Sequence, residues 1–392
     1  MAIENMKRGV KLALSPENLI ARAREDTGIA LSDSGALEPL TALCESLDTE
    51  SDLHAAGAQG MQDKLLRILA NRLRMRRDFA RHPEIENQRI NAPIFICGMA
   101  RTGSTKTQKL LAAAGDFNWL PYWQSLNPAL RTGSRSESAQ ARIEDTERFA
   151  QWFDAASPET RAGHAFQTHE PEEESFILEH SLKSPVFLGW APIAGYLQWL
   201  MRQDMAAQFL LLRDTLKYLQ WQGLADERRR WILKSPLYSG MEPLLLSTFP
   251  DACLLMTHRS PVATIPSGLR LLECFYKPFT NSAPDPLFFM AGQSGAMRQH
   301  LVNRAAMKPN SMLDIHFRDL SVATAAVIDR IYAFCGAKLT PEARQRMLDW
   351  NEKNPQHKSG KHLYALENYR LTAEMIEGEF ADYIRFLRQL EK

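Results

Sequence analysis

The sequence predicts an α/β protein: a P-loop-type parallel sheet flanked by helices, with a helical N-terminal extension. Three observations carry this. Four short apolar runs, Ile94–Cys97, Trp231–Leu233, Ala252–Met256 and Met312–Phe317, are each followed by a turn signal and a helical pattern. The first run leads into Gly98-Met99-Ala100-Arg101-Thr102-Gly103-Ser104-Thr105, the outline of a strand, a glycine-bracketed turn and a helix start. Ahead of it, residues 16–80 read as helical.

Ser15-Pro16-Glu17 is a helix start, with proline at the first helical position. Residues 61–79 place Leu65, Leu66, Leu69, Leu73 and Phe79 close to one stripe. Arg72, Arg74, Arg76 and Arg77 are interleaved with it and read as a solvated helix face rather than a nucleic-acid contact. Beyond the glycine turn, residues 104–114 read as a helix stopped near Gly115. The polar stretch 131–164 reads as an exposed, partly helical insertion. Pro171 to His180 opens a further helix, and 196–222 reads as one long aromatic-rich helix. With no clear linker or internal repeat, residues 1–90 are expected to pack on a main domain spanning 91–392.

At 392 residues and 45% apolar, the chain can bury a large core. Forty-seven Lys and Arg against 46 Asp and Glu give a net charge of +1, which lends a nucleic-acid role no support. Five scattered cysteines, Cys44, Cys97, Cys253, Cys274 and Cys335, form no C-x-x-C, a pattern expected in a reducing compartment. No metal-ligand spacing of Cys and His is visible. No signal-like segment or apolar run of membrane-spanning length is found, so the expected location is the cytoplasm. Oligomeric state is not legible in these features.

The glycine turn departs from the triphosphatase pattern G-x-x-x-x-G-K-[ST]: Ser104 stands at the lysine position, and a cation, Arg101, lies inside the loop. Backbone N–H groups would still face an anion there. Ligands of parallel α/β sheets bind at the carboxyl ends of the strands. Arg101, Lys234 and Arg259 follow three different strands and so are expected on one edge. Arg259 offers a planar fork for phosphate oxygens, and Ser267, eight positions later, adds a hydroxyl for a second phosphate.

The loop Gly98–Thr105, the strand end Lys234-Ser235-Pro236 and the Arg259…Ser267 pair resemble the sulfotransferases that use 3′-phosphoadenosine-5′-phosphosulfate (PAPS). The similarity is greatest to the bacterial-type branch whose loop reads P-R-T-G-[ST]-T. It extends over Arg81-His82-Pro83-Glu84-Ile85, Trp123…Asn127-Pro128, Pro171-Glu172-Glu173, Phe249-Pro250-Asp251-Ala252 and the tail His362–Glu367. The resemblance implies that the loop amides, with Thr102, Gly103, Ser104 and Thr105, hold the 5′-phosphosulfate and that Arg101 lies beside the sulfuryl group. It further implies that Arg259 and Ser267 hold the 3′-phosphate, and that Lys234 neutralises the leaving phosphate. Lys358, Gly360 and Lys361 would be a loop closing on the nucleotide or simply a solvated loop. The family needs no metal, and the implied acceptor is a hydroxyl, or an amine, on a small or lipid-like molecule.

The general base is open at this level. Ser235-Pro236 stand where one branch has a histidine after the lysine, and Gln124 stands where other branches have a glutamate. The remaining candidates are His164, His169, Glu170, Glu172 and Glu173, of which His169 and Glu173 are favoured because they lead into an acceptor-side helix. The aromatics Trp190, Trp199, Trp221, Phe275, Tyr276 and Phe279 read as core. Two other readings compete: a P-loop kinase or ATPase, which would need the absent lysine, and a catalytically silent sulfotransferase homologue.

Overall fold

The computed structural model describes residues 10–13, 15–31, 33–355 and 365–390. Its centre is a four-stranded sheet of β1 (Ile94–Cys97), β2 (Ile232–Lys234), β3 (Cys253–His258) and β4 (Met312–His316), in the spatial order β2-β1-β3-β4. All three pairings are parallel, with Phe95 opposite both Leu233 and Leu254, and Leu255 opposite Leu313. Each expected strand is present; β2 is shifted by one residue, to Ile232–Lys234, and β3 ends two residues later than expected, at His258.

β1 is buried at every position, which is why it reads as a continuous apolar run. Its side chains divide by the two-residue period of a strand. Phe95 and Cys97 enter one core with Leu233, Leu254 and Met256, whereas Ile94 and Ile96 enter the opposite core with Ile232, Leu255 and Ile315.

The N-terminal region folds as α1 (Pro16–Thr27), α2 (Leu37–Glu50) and α3 (Ala55–Arg81). Ser15 caps α1 by accepting the Asn18 N–H at 3.3 Å, as its sequence position predicts. These helices share an apolar cluster with Tyr122, Phe153, Phe166, Phe176, Trp190 and Phe279. The segment 131–164 contributes to it: its helix Gln140–Ala156 turns Thr146, Ala150 and Phe153 inward and keeps the other side wet. Trp190, Trp221, Tyr276 and Phe279 are buried, while Trp199 and Phe275 are partly buried against the same cluster.

Two expectations are corrected. The region 196–222 is two helices, Ala194–Leu200 and Ala206–Trp221. The Asp204 carboxylate takes the Ala206 N–H at 2.8 Å and starts the second helix afresh. The arginine face of α3 is not solvated throughout. Arg72 reaches Asp33 through Nε and Nη2 at 2.6 and 2.8 Å, and Arg77 donates to Leu130 O at 2.9 Å and Arg131 O at 3.0 Å. Both fasten the extension to the main body. No helix among the described residues is long and apolar enough to cross a membrane.

Candidate active site

The glycine turn leaves the carboxyl end of β1 and runs into α4 (Ser104–Ala112). Gly98 adopts φ 129°, and a Cβ there would lie 2.5 Å from Thr257 O, so the close approach of two strand ends requires glycine. Its N–H donates to Ser239 Oγ at 3.1 Å. Buried Thr102 places Oγ1 2.7 Å from both Met99 O and Thr257 Oγ1, and Thr257 in turn donates to Cys97 O. The first intrahelical bond runs from Thr107 N–H to Gly103 O at 3.0 Å. The amides of Ser104, Thr105 and Lys106 therefore stand ahead of the helical ladder, the arrangement that suits an anion. Lys106 itself turns away, its Nζ on Leu320 O at 2.8 Å.

Arg101 holds φ 71°, the left-handed region that a non-glycine residue occupies at a cost of about 1–3 kcal/mol. That backbone sends its side chain across the loop. Nε donates to Ser267 Oγ at 3.0 Å and Nη1 to Gly163 O at 2.7 Å. Arg259, directly after β3, donates from Nη1 to Arg101 O at 3.1 Å and stacks 4.3 Å over the Phe317 ring. Ser267 is buried one helix face away, on Pro261–Tyr276. Arg101, Arg259 and Ser267 thus meet, with the Ser267 hydroxyl on Arg101 rather than Arg259. His258 braces this strand end: its ring contacts Tyr383 Oη at 2.8 Å and Asp314 Oδ1 at 2.9 Å, and burial pushes its basicity down.

Lys234 closes β2 with its side chain 1% exposed and its ammonium ion-paired to Glu173. Glu173 belongs to the run Pro171-Glu172-Glu173-Glu174, whose three carboxylates fan to three partners. Glu172 Oε2 lies 3.0 Å from His164 Nε2, and its Oε1 accepts the Glu173 N–H at 2.8 Å. Burial favours the neutral acid, but the His164 charge, the hydrogen bond and Lys234 outweigh it and hold Glu172 well below the usual carboxylate range. Glu173 pairs with Lys234 and accepts the Ser175 hydroxyl at 3.0 Å. Glu174 accepts the Lys234 N–H at 2.8 Å and the Tyr238 hydroxyl, yet burial still pushes its carboxyl up to about 7. Donor atoms of His164, Glu172 and Glu173 lie within 4.8 Å of one another. The Lys234 ammonium supplies positive charge to this group through Glu173.

His169 and Glu170 are exposed on a turn, and Glu170 lies 3.6 Å from Lys109. Gln124 is buried, with Oε1 left without a partner. Lys358, Gly360 and Lys361 lie outside the described residues. Three participants escaped the sequence reading. Glu174 was legible as the third acid of its run. Phe317, directly after β4, follows from the strand-end rule. Gly163 enters only through its carbonyl, which leaves no trace in a sequence.

This architecture, a parallel sheet flanked by helices with a glycine turn and cations at one edge, is an α/β fold with a P-loop-like strand end. The chain belongs to the sulfotransferase family, whose model matches residues 93–341. Two solved structures are similar over nearly the whole length. Sulfotransferase STF9 from Mycobacterium avium has 24% identity and a TM-score of 0.82, covering 96% of this chain and 97% of that one. Sulfotransferase STF1 from Mycobacterium tuberculosis H37Rv has 26% identity and a TM-score of 0.77, covering 95% of this chain and 100% of that one. No curated protein sequence matches it.

Proposed function

We propose that this chain transfers the sulfuryl group of PAPS to a hydroxyl, or an amine, of a small or lipid-like acceptor by in-line displacement. The observation that carries the reading is the meeting of Arg101, Arg259 and Ser267 beside the amides that open α4, with Lys234 at the neighbouring strand end. Two separated anionic ends of one nucleotide suit such a set. PAPS supplies the sulfuryl group together with an anionic leaving group when bound.

The residues then divide the work. The amides ahead of α4, with Thr102, Gly103, Ser104 and Thr105, cradle the 5′ end. Arg101 faces the transferring group from its strained backbone, and Lys234 meets the negative charge that grows on the bridging oxygen. Fixed donors aimed at developing charge need no reorganisation, which is why each is worth so much in rate. Arg259, held flat on Phe317, takes the 3′-phosphate together with Ser267. The acceptor enters among apolar walls: the His164 ring packs on Phe166 at 5.0 Å and Phe275 at 5.8 Å. Five free thiols fit a cytoplasmic enzyme.

The test is a pair of measurements. The desulfonated product PAP, without Mg²⁺, should raise the melting temperature of the wild type more than Mg·ATP does. Arg101→Ala and Arg259→Ala should weaken that stabilisation and lower transfer by ~100- to 1000-fold. Equal stabilisation by Mg·ATP, or variants that leave PAP binding and turnover unchanged, would exclude the reading in favour of a kinase-like or silent protein.

A further inference from the structure

We propose that His164, oriented by Glu172, is the general base that takes the acceptor's proton. This inference rests on the sulfuryl-transfer reading above. His164 closes the short helix Thr160–Gly163, and the preceding carbonyl, Gly163 O, receives Arg101 Nη1 at 2.7 Å. The histidine is therefore tied by one residue to the loop arginine. On its other side, Nε2 lies 3.0 Å from Glu172 Oε2. Glu172 is buried, and its Oε2 accepts the hydrogen bond from Nε2, which fixes that atom as the protonated nitrogen of the neutral ring. Nδ1 is left as the basic lone pair, on a side chain that is 12% exposed. A carboxylate that sets the tautomer of an imidazole beside a reacting group is the arrangement a histidine base needs.

The other candidates are occupied or remote. Glu173 is occupied on one oxygen by the Lys234 ammonium and on the other by the Ser175 hydroxyl. Glu174 is enclosed, with the Tyr238 hydroxyl on one oxygen and the Lys234 N–H on the other. His169 and Glu170 are exposed on the turn beyond. Gln124 is an amide. The groups facing the His164 ring are Glu172 and Glu173 from their turn, with Lys234 of β2 behind Glu173. From the Pro261–Tyr276 helix comes Phe275, and Lys277 just past it is neutralised by Glu159 at 2.9 Å. In the step itself, Nδ1 takes the proton as the acceptor oxygen bonds to sulfur. The bond from sulfur to the 5′-phosphate oxygen breaks, its electron pair stays on that oxygen, and the imidazolium later returns its proton to solvent.

Three variants, His164→Gln, His164→Ala and Glu172→Gln, test this against PAP binding by calorimetry and transfer from PAPS to 4-nitrophenol and to 1-dodecanol. His164→Gln should bind PAP like the wild type and lower kcat/KM for 1-dodecanol by ~100- to 10,000-fold. Its loss on 4-nitrophenol should be much smaller, because that acidic hydroxyl needs little help in losing its proton. Glu172→Gln, which loses the carboxylate that orients the ring, should likewise lower kcat/KM for 1-dodecanol far more than for 4-nitrophenol while PAP binding is retained. Loss of PAP binding in His164→Gln, or equal losses on both acceptors, would mark His164 as structural and overturn the proposal. So would equal losses on both acceptors in Glu172→Gln. A wild type that does not bind PAP would instead overturn the sulfuryl-transfer reading itself.

Discussion

Two buried lysine–carboxylate pairs in this chain share their chemistry and differ in their surroundings. Lys64 meets Glu179 at 2.6 Å, with the two side chains 0% and 1% exposed. The Trp190 indole lies 4.1 Å from the Lys64 ammonium and donates its Nε1–H to Glu179 at 2.5 Å. This pair is sealed in the aromatic cluster that joins α3 to the main body. Burial pulls the Lys64 ammonium down to about 8, against the attraction of Glu179. Lys234 is as deeply buried, but its partner Glu173 is 19% exposed and stands with His164, whose preceding carbonyl, Gly163 O, receives Arg101. An incoming anion can compete for Lys234, whereas nothing can reach Lys64. The contrast teaches that two equally buried cations differ in what can reach them when the counter-charge of one is partly open, as the proposed role of Lys234 requires.

The largest expected effect breaks the open pair. Lys234→Ala should cut transfer by ~100- to 1000-fold while the protein still folds, checked by steady-state kinetics alongside a thermal melt. Breaking the closed pair should do the reverse. Lys64→Met leaves an uncompensated buried carboxylate and should cost about 3–5 kcal/mol in denaturant unfolding, with PAP binding retained in the folded fraction. The double variant Lys64→Met/Glu179→Gln should recover most of that loss.

A pH experiment sharpens the comparison further. Glu174, beside the open pair, has its folded carboxyl raised to about 7 from 4.5. Between those values the unfolded chain has released the proton and the folded one has kept it, so stability falls as pH rises through this window. Glu174→Gln should flatten that slope, which is worth on the order of 3 kcal/mol at full burial. Lys64 has the opposite sign. Its folded value is lowered, so stability rises between pH 8 and 10.5, and Lys64→Met should remove that rise. The smallest effect is expected for Trp190→Phe, which deletes one hydrogen bond to Glu179 at a cost of about 1–3 kcal/mol and should leave transfer unchanged.

Much of the sheet was legible because its signals are local. A run such as Ile94–Cys97 needs only its own apolar side chains to read as a buried strand, and the glycine turn needs only its own spacing. Once the strands are parallel, their carboxyl ends share an edge, which brings Arg101, Lys234 and Arg259 near one another. The break at 201–205 was hidden because one short polar cap, Asp204, interrupts an otherwise helical pattern. Arg72 and Arg77 looked solvated because their partners, Asp33 and the 130–131 carbonyls, are distant in sequence.

The acidic run shows where local reasoning ends. Glu172, Glu173 and Glu174 are equivalent in sequence, yet one meets a histidine, one a lysine and one a tyrosine. The chain there is a turn, so successive side chains diverge, and which partner each finds depends on how β2 and the 160–164 segment pack around it. His164 and His169 pose the same choice five residues apart, and packing half-buried one and exposed the other. The sequence by itself determined the parallel sheet, the anion-ready turn and the cations at the strand ends, because short-range patterning and topology suffice for those. Only the tertiary structure decided which carboxylates pair with Lys234 and which one orients His164, because those bonds join segments brought together by folding.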